Sequence, residues 1–231
     1  MFVTESRENY WMLNWLDEFM ANHKGFICGG CFKNIFNKEK VKDLDIFFKC
    51  QEDFDDAVAY FDSMTAGNWI DGDPDDIVVD KDAKYTFLYE NKNVKAYVHK
   101  KTGVRIELCN KIFGTPEEIL GQFDFTVVKF AYYKAEVADD DPFEDFPGGN
   151  ISTHIEYRVM MHDKFFEHLH THRLVTDDKI PFPMSTLERA FRYAKYGYAP
   201  CRETKMKIAK AIRGLPEADV AVSESLYDGM D

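Results

Sequence analysis

The sequence predicts an α+β protein: a mixed β-sheet flanked by helices, with a helical region toward the C-terminus. Three observations predict it. Apolar residues recur at helical spacing near the start and again beyond residue 160. Between these stretches, KYTFLYE, VKAYVHK and VRIELCN carry the β-branched and aromatic content of strands. Helix and strand signals alternate before the acidic segment that starts at residue 138, and helical signals dominate after it.

Taken in order, ENYWMLNWLDEFMANH sets Trp11, Met12, Trp15, Leu16 and Phe19 at helical spacing, and Lys24-Gly25 ends that helix. FIC runs into Gly29-Gly30, residues 34–40 read as helix or loop, and LDIFFK reads as a strand. DFDDAVAYFDSM is an amphipathic helix with Phe54, Val58 and Phe61 on one face. Strands follow in IVVD, KYTFLYE, VKAYVHK and VRIELCN, the last pair separated by the turn residues Lys101 to Gly103. TPEEILGQF has the Thr-x-x-Glu form of a capping box and predicts a short helix, with the strand FTVVKFAYY after it. ADDDPFEDFPGGN is acidic and broken by Pro and Gly, the mark of an exposed linker. HDKFFEHLHTHRL, STLERAFRYAKYGY and ETKMKIAKAIRG then read as helical, with a loose tail after Pro216. The expected division is a body over 1–137, a linker over 138–150 and a helical region over 151–231, with no internal repeat.

A chain of 231 residues, 45% of them hydrophobic, buries a sizeable core. It has no run near the ~18 apolar residues of a membrane span, and its start lacks a secretory pattern, so the expectation is a cytoplasmic protein with no membrane partner. Its five cysteines, irregularly placed, are expected to be reduced. A net charge of -12 argues against a general grip on duplex DNA, which needs many Lys and Arg contacts to phosphate. The region from Met184 to Arg213 differs: eight Lys and Arg stand against two Glu, a local +6 that suits a small polyanion or a strand contact, or simply a solvated helix face.

FICGGCFKNIFNKEKVKDLDIFF concentrates the chemistry. Gly-Gly between a strand and a helix lets backbone amides approach phosphate. Asp43 and Asp45, two apart in a strand, project from one face, where they suit one or two divalent cations. Cys28 and Cys31 also form a Cys-x-x-Cys pair, but neither a thioredoxin-like context nor a second Cys pair accompanies it. Lys33 and Lys42 lie close enough to touch phosphate, although long cationic side chains near a turn are usually solvated. His168 and His172, spaced by four, read as a surface helix rather than a zinc pair. Asp71, Asp73 and Asp75 alternate as in a calcium loop, but Asp76 stands where its glycine belongs.

Gly29-Gly30-Cys31-Phe32 followed by Lys42-Asp43-Leu44-Asp45-Ile46 resembles the signature of the nucleotidyltransferase superfamily, which includes DNA polymerase beta, CCA-adding enzymes and aminoglycoside nucleotidyltransferases. The resemblance implies Mg²⁺ or Mn²⁺ held by Asp43, Asp45 and a third acid from a later strand, Glu107 first and Asp124 second. It also implies a triphosphate held at Gly29, Gly30 and Cys31, the last standing where Ser is frequent and donating more weakly. STLERAFRYAKYGYAPCRET resembles the helical neck of CCA-adding enzymes and bacterial poly(A) polymerases, which implies that Arg189, Arg192 and Tyr193 face the nucleotide. Ser185-Thr186-Leu187-Glu188 replaces that family's Asp-Pro-Leu-Arg, so base recognition does not carry over. The combined order resembles compact phage-type nucleotidyltransferases acting in a host cytoplasm. The expected activity is metal-dependent transfer of a nucleotidyl group from an NTP to RNA, a protein or a small molecule. The alternative is a non-catalytic relative that binds a nucleotide or a partner.

Overall fold

The computed structural model describes residues 1–65, 83–138 and 153–216. The expected strand IVVD, Asp71, Asp73, Asp75 and Asp76, most of the acidic linker and the tail after Pro216 lie outside them.

An eight-stranded sheet organises the chain, in the order β1-β8-β7-β2-β3-β6-β5-β4. Its strands are β1 (Phe2–Ser6), β2 (Phe26–Cys28), β3 (Asp43–Phe48), β4 (Tyr85–Glu90), β5 (Val94–His99), β6 (Arg105–Phe113), β7 (Phe130–Ala138) and β8 (Thr153–His162). β3 and β6 run parallel, and the chain between them passes through α3 (Gln51–Ser63) and the β4–β5 hairpin. The other neighbours are antiparallel. This is the mixed sheet the sequence predicts.

Three expectations change, the start of β7 among them. Residues 153–162 belong to the sheet rather than to a helical region over 151–231: β8 pairs with β7 from Phe130↔Met161 to Ala138↔Thr153, and with β1 from Phe2↔His162 to Ser6↔Arg158. Ile155, Tyr157, Val159 and Met161 alternate along it, and pairing on both edges overrides the helical signal that follows. The N-terminal helix is mostly 3₁₀, Arg7–Leu16, interrupted at Tyr10 (φ -131°, ψ 53°) and continued by the short α1 (Asp17–Met20). Leu13, Leu16, Phe19 and Met20 are its buried residues.

The aromatic excess builds the core. α2 (Cys31–Phe36) and α5 (Phe165–His170) meet β7 around Phe130, whose ring centroid lies 4.4 Å from Phe32, 5.3 Å from Phe36 and 5.0 Å from Phe165. α3 is held to the β4–β5 hairpin by Phe61, 4.7 Å from Tyr85 and 5.3 Å from Tyr97, while Tyr97 donates to Asp62 at 2.7 Å. Each such pair adds about 1 kcal/mol beyond its area burial. Thr115 forms the predicted capping box with Glu118 and starts α4 (Pro116–Gln122). β7 begins at Phe130, later than FTVVKFAYY suggests, because Thr126–Val128 forms a 3₁₀ turn.

The C-terminal elements are α6 (Pro183–Ala194), α7 (Arg202–Arg213) and a two-stranded parallel pair, β9 (Arg173–Leu174) with β10 (Ala199–Pro200). They dock through Tyr198, which accepts from Asn37 at 2.9 Å, and through Lys129, which donates to Asp177. No helix among the described residues is long and apolar enough to cross a membrane.

Candidate active site

β2 ends at Cys28 and the chain turns through Gly29 at φ +101°, a conformation an L side chain rarely adopts. The space is also confined: a Cβ there would lie 3.3 Å from the Phe123 ring and 3.5 Å from Asp45 Oδ2. Gly30 then caps α2. The Gly29 amide donates to Phe130 O at 3.0 Å, so it serves the sheet, which corrects the expectation that both glycine amides face a ligand. Gly30 and Cys31 open the helix, and the turn's role at Gly29 is to bring the backbone beside Asp45.

Beneath the turn, strand register collects the acids. Cys28 pairs with Asp45, Asp45 pairs with Glu107, and Asp43 pairs with Arg105. Directly opposed residues project to the same face, so Asp43, Asp45, Arg105 and Glu107 form a square of charges on two parallel strands. Leu44, Ile46, Ile106 and Leu108 point the other way and are fully buried. The sequence spacing within each strand, two residues, is what makes this face charged.

Arg105 ties two corners of the square together. Its Nη2 lies 3.1 Å from Asp43 Oδ1 and its Nε 2.8 Å from Glu107 Oε1. Tyr89 on β4 donates to the same Glu107 oxygen at 3.1 Å. Glu107 is buried, and burial raises its pKa against the opposing pull of Arg105 and Tyr89. Asp45 is half-buried and is pushed up to about 7 by burial, then by Glu107 and Asp43; Arg105 and Arg189 oppose the rise. Asp45 and Glu107 are thus both shifted toward their neutral forms, with burial as the first cause.

A second wall comes from α6. Arg189 Nη1 donates to Asp124 Oδ2 at 3.0 Å, and the other carboxylate oxygen of Asp124 accepts from the Phe125 amide at 2.8 Å. The Tyr193 hydroxyl lies 3.5 Å from where a Gly30 Cβ would stand. Asp124, 4% exposed, is thus the partner of Arg189, and Glu107 is the acid in register with Asp45. Arg192 sits on the same helix, half-buried, and acts electrostatically on Tyr193.

Other expected groups point elsewhere. Lys33 is buried, pairs with Glu39 at 2.7 Å and lies over the rings of Tyr196 and Tyr198, so its charge is spent on protein partners. Lys42 is exposed at the start of β3. The Cys28, Cys31 and Cys109 thiols are free, buried and raised well above their usual range by burial, which fits an inert packing role beside Asp45. His168 hydrogen-bonds Thr126 at 2.7 Å, whereas α5 ends at His170 and His172 adopts φ +52° against Tyr198, so the two do not share a helix face. Spacing along the chain does not place Tyr89 beside Glu107 or the Tyr193 hydroxyl over the Gly30 turn. Arg105 had a signal, since it stands two residues before Glu107 in the same strand.

Mg²⁺ or Mn²⁺ suits this donor set in chemistry: three carboxylates on one face, one of them pushed toward its neutral form by burial and then by the other two. As arranged, no group of three His, Cys, Asp or Glu among the described residues is set to hold a metal ion, and the Arg105 guanidinium lies between Asp43 and Glu107.

Three solved structures share the architecture. The Thermotoga maritima CCA-adding enzyme complexed with tRNA superposes with a TM-score of 0.53 at 14% identity, covering 92% of this chain and 46% of that one. A CCA-adding enzyme with CTP gives the same values, and an apo form gives 0.51 at 13% identity, covering 91% and 46%. At such identities the likeness shows the fold, and the chain spans less than half the length of these proteins. No curated protein matches the chain. A family model described as Gabija anti-defense 2 family protein (Gad2) matches residues 6–172, from the first 3₁₀ turn through β8 and α5 and including every corner of the charged square, and the chain belongs to that family.

Proposed function

We propose that this Gad2 protein is a metal-dependent nucleotidyltransferase, moving a nucleoside monophosphate from an NTP to a hydroxyl acceptor with release of pyrophosphate. The observation that carries the reading is the register of Asp45 against Glu107 directly under the Gly29-Gly30 turn. A divalent cation bound by Asp43, Asp45 and Glu107 would neutralise the triphosphate and lower the pKa of the attacking hydroxyl. The chain's own groups do the rest. The amides at Gly30 and Cys31 meet phosphate oxygens, Arg189 is held toward the site by Asp124, and Asp45 Oδ2, nearest the turn, takes the acceptor's proton. The family's description suggests that the acceptor belongs to the Gabija defence system, in a host cytoplasm if the protein is phage-encoded.

Transfer of label from α-labelled NTPs, tried on RNA and protein acceptors, tests the reading. Asp43→Asn together with Asp45→Asn is expected to lower it by at least ~100-fold, the scale on which loss of one preorganised group that stabilises transition-state charge acts. Retained transfer in that variant would contradict the assignment.

One observation favours a second reading. Arg105 already supplies a cation to Asp43 and Glu107, as it would in a relative that keeps the fold and binds a nucleotide or partner without turnover. Calorimetry of NTP binding with and without Mg²⁺ separates the two: tight binding indifferent to Mg²⁺, with no pyrophosphate from any acceptor, supports the second.

A further inference from the structure

The most exposed aromatic side chain among the described residues is Trp11, at 74%, in the 3₁₀ segment Arg7–Leu16. Trp15, four positions on and 37% exposed, walls a groove of about 440 Å³ whose floor is aliphatic. Met12 and Ile35 are half-buried there, with Val41 ahead of β3 and Val104 ahead of β6. The rim is cationic. Lys38 and Lys40 line the groove, Lys42 follows them, and Lys100 and Lys101 stand in the turn that carries Thr102 to it. The Arg105 amide donates to Lys42 O at 2.9 Å and ties the strand after that turn to the loop of lysines. All five lysines are exposed, and none makes an ion pair with an acid among the described residues. Glu39, the one acid lining the groove, is held by Lys33 at 2.7 Å. In a chain of net charge -12, unpaired positive charge thus collects around an apolar floor.

We propose that this groove docks an acidic segment of a partner protein, whose bulky apolar side chains fill it beside Trp15 while Asp or Glu residues next to them meet Lys38, Lys40 and Lys101. An apolar centre within a charged rim is the pattern of a protein interface, and tryptophan is the residue type that most often carries its binding energy. Trp11 extends the contact beyond the groove itself. A single strand of nucleic acid would use the same lysines, but its bases need flat ring faces to stack on. Only one ring lines this groove, and Trp15 is already set edge-on against Phe19, with centroids 5.8 Å apart and planes at 85°. The aliphatic floor favours side chains over bases. No residue lining the groove belongs to the charged square or the glycine turn, so this inference stands apart from the transferase reading.

The test is selection of displayed random peptides on the full chain, followed by titration of the selected peptide against intrinsic tryptophan fluorescence. The enriched peptides are expected to share acidic residues beside bulky apolar ones, and binding to shift the emission to shorter wavelength as Trp11 and Trp15 leave water. Trp15→Ala is expected to weaken binding by at least ~10-fold, as loss of an interface anchor does. Lys38→Glu with Lys40→Glu and Lys101→Glu is expected to do the same; it changes only exposed side chains, and it decides the matter if circular dichroism shows Trp15→Ala to be unfolded. Lys195→Glu with Lys205→Glu and Lys210→Glu makes the same change of net charge on the C-terminal helical region and is expected to leave binding nearly unchanged. Failure to enrich any peptide, enriched peptides without acidic residues, or an equal loss in both lysine variants overturns the proposal. A labelled oligouridine that binds the parent, displaces the peptide and loses affinity in the groove variant also overturns it, in favour of single-stranded nucleic acid.

Discussion

Arg189 and Asp124 make the contact through which α6 is fastened beside the glycine turn, and removing one partner measures what that fastening contributes. In Arg189→Met the stem's bulk is kept while the charge leaves. Asp124, 4% exposed, then retains the Phe125 amide and loses its cation. At 3.0 Å, with an effective dielectric of 20, the pair's gross attraction is about 5 kcal/mol. Arg189 is 24% exposed, so water recovers part of that on its loss. A cost of about 3 kcal/mol is expected, the lower end for breaking a buried pair on one side. For a chain of this size that lowers Tm by roughly 6–12 °C. Urea unfolding of Arg189→Met, Asp124→Asn and the double variant closes a thermodynamic cycle, with a coupling of about 2 kcal/mol expected. An Arg189→Met cost below about 1 kcal/mol, or additive single variants, would refute the claim that this pair anchors the helix.

Further outcomes are expected elsewhere. The Gly25 amide donates to His23 Nδ1 at 3.0 Å and His23 Nε2 faces Phe19 O at 2.7 Å, and burial pulls the pKa from 6.5 down to about 4. Because the unfolded chain takes up this proton first, stability is full above pH 6.5 and falls as the pH drops toward 4, by at most about 3 kcal/mol; the same urea midpoint shift in His23→Gln as in the parent would contradict this. Gly29→Ala, forced to φ +101° and pressed against Phe123, is expected to cost about 1–3 kcal/mol and to weaken NTP binding in calorimetry, whereas an unchanged protein would deny the turn its role. Under native conditions a thiol reagent is expected to label Cys201, half-buried and with a lowered pKa, well before Cys28, Cys31 or Cys109; fast labelling of Cys28 or Cys31 would revive the dithiol reading.

What the sequence alone determined is local. A spacing of two positions from Asp43 to Asp45, with Leu44 between them, places both carboxylates on one face of a strand, whatever the strand pairs with. Thr115 and Glu118 define a helix start within one turn, and Gly29 permits the positive φ that ends β2 beside Asp45. Tertiary structure decided everything that depends on which strand lies next to which. Glu107 rather than Asp124 meets Asp45, because β6 returns parallel to β3 after α3 and the β4–β5 hairpin. Arg105 faces Asp43 for the same reason, and Thr153–His162 is a strand because β1 and β7 offer it two edges. Spacing along a chain follows from backbone geometry and is visible in a few letters. Register between strands far apart in sequence is chosen by the burial of whole faces, which no short stretch contains.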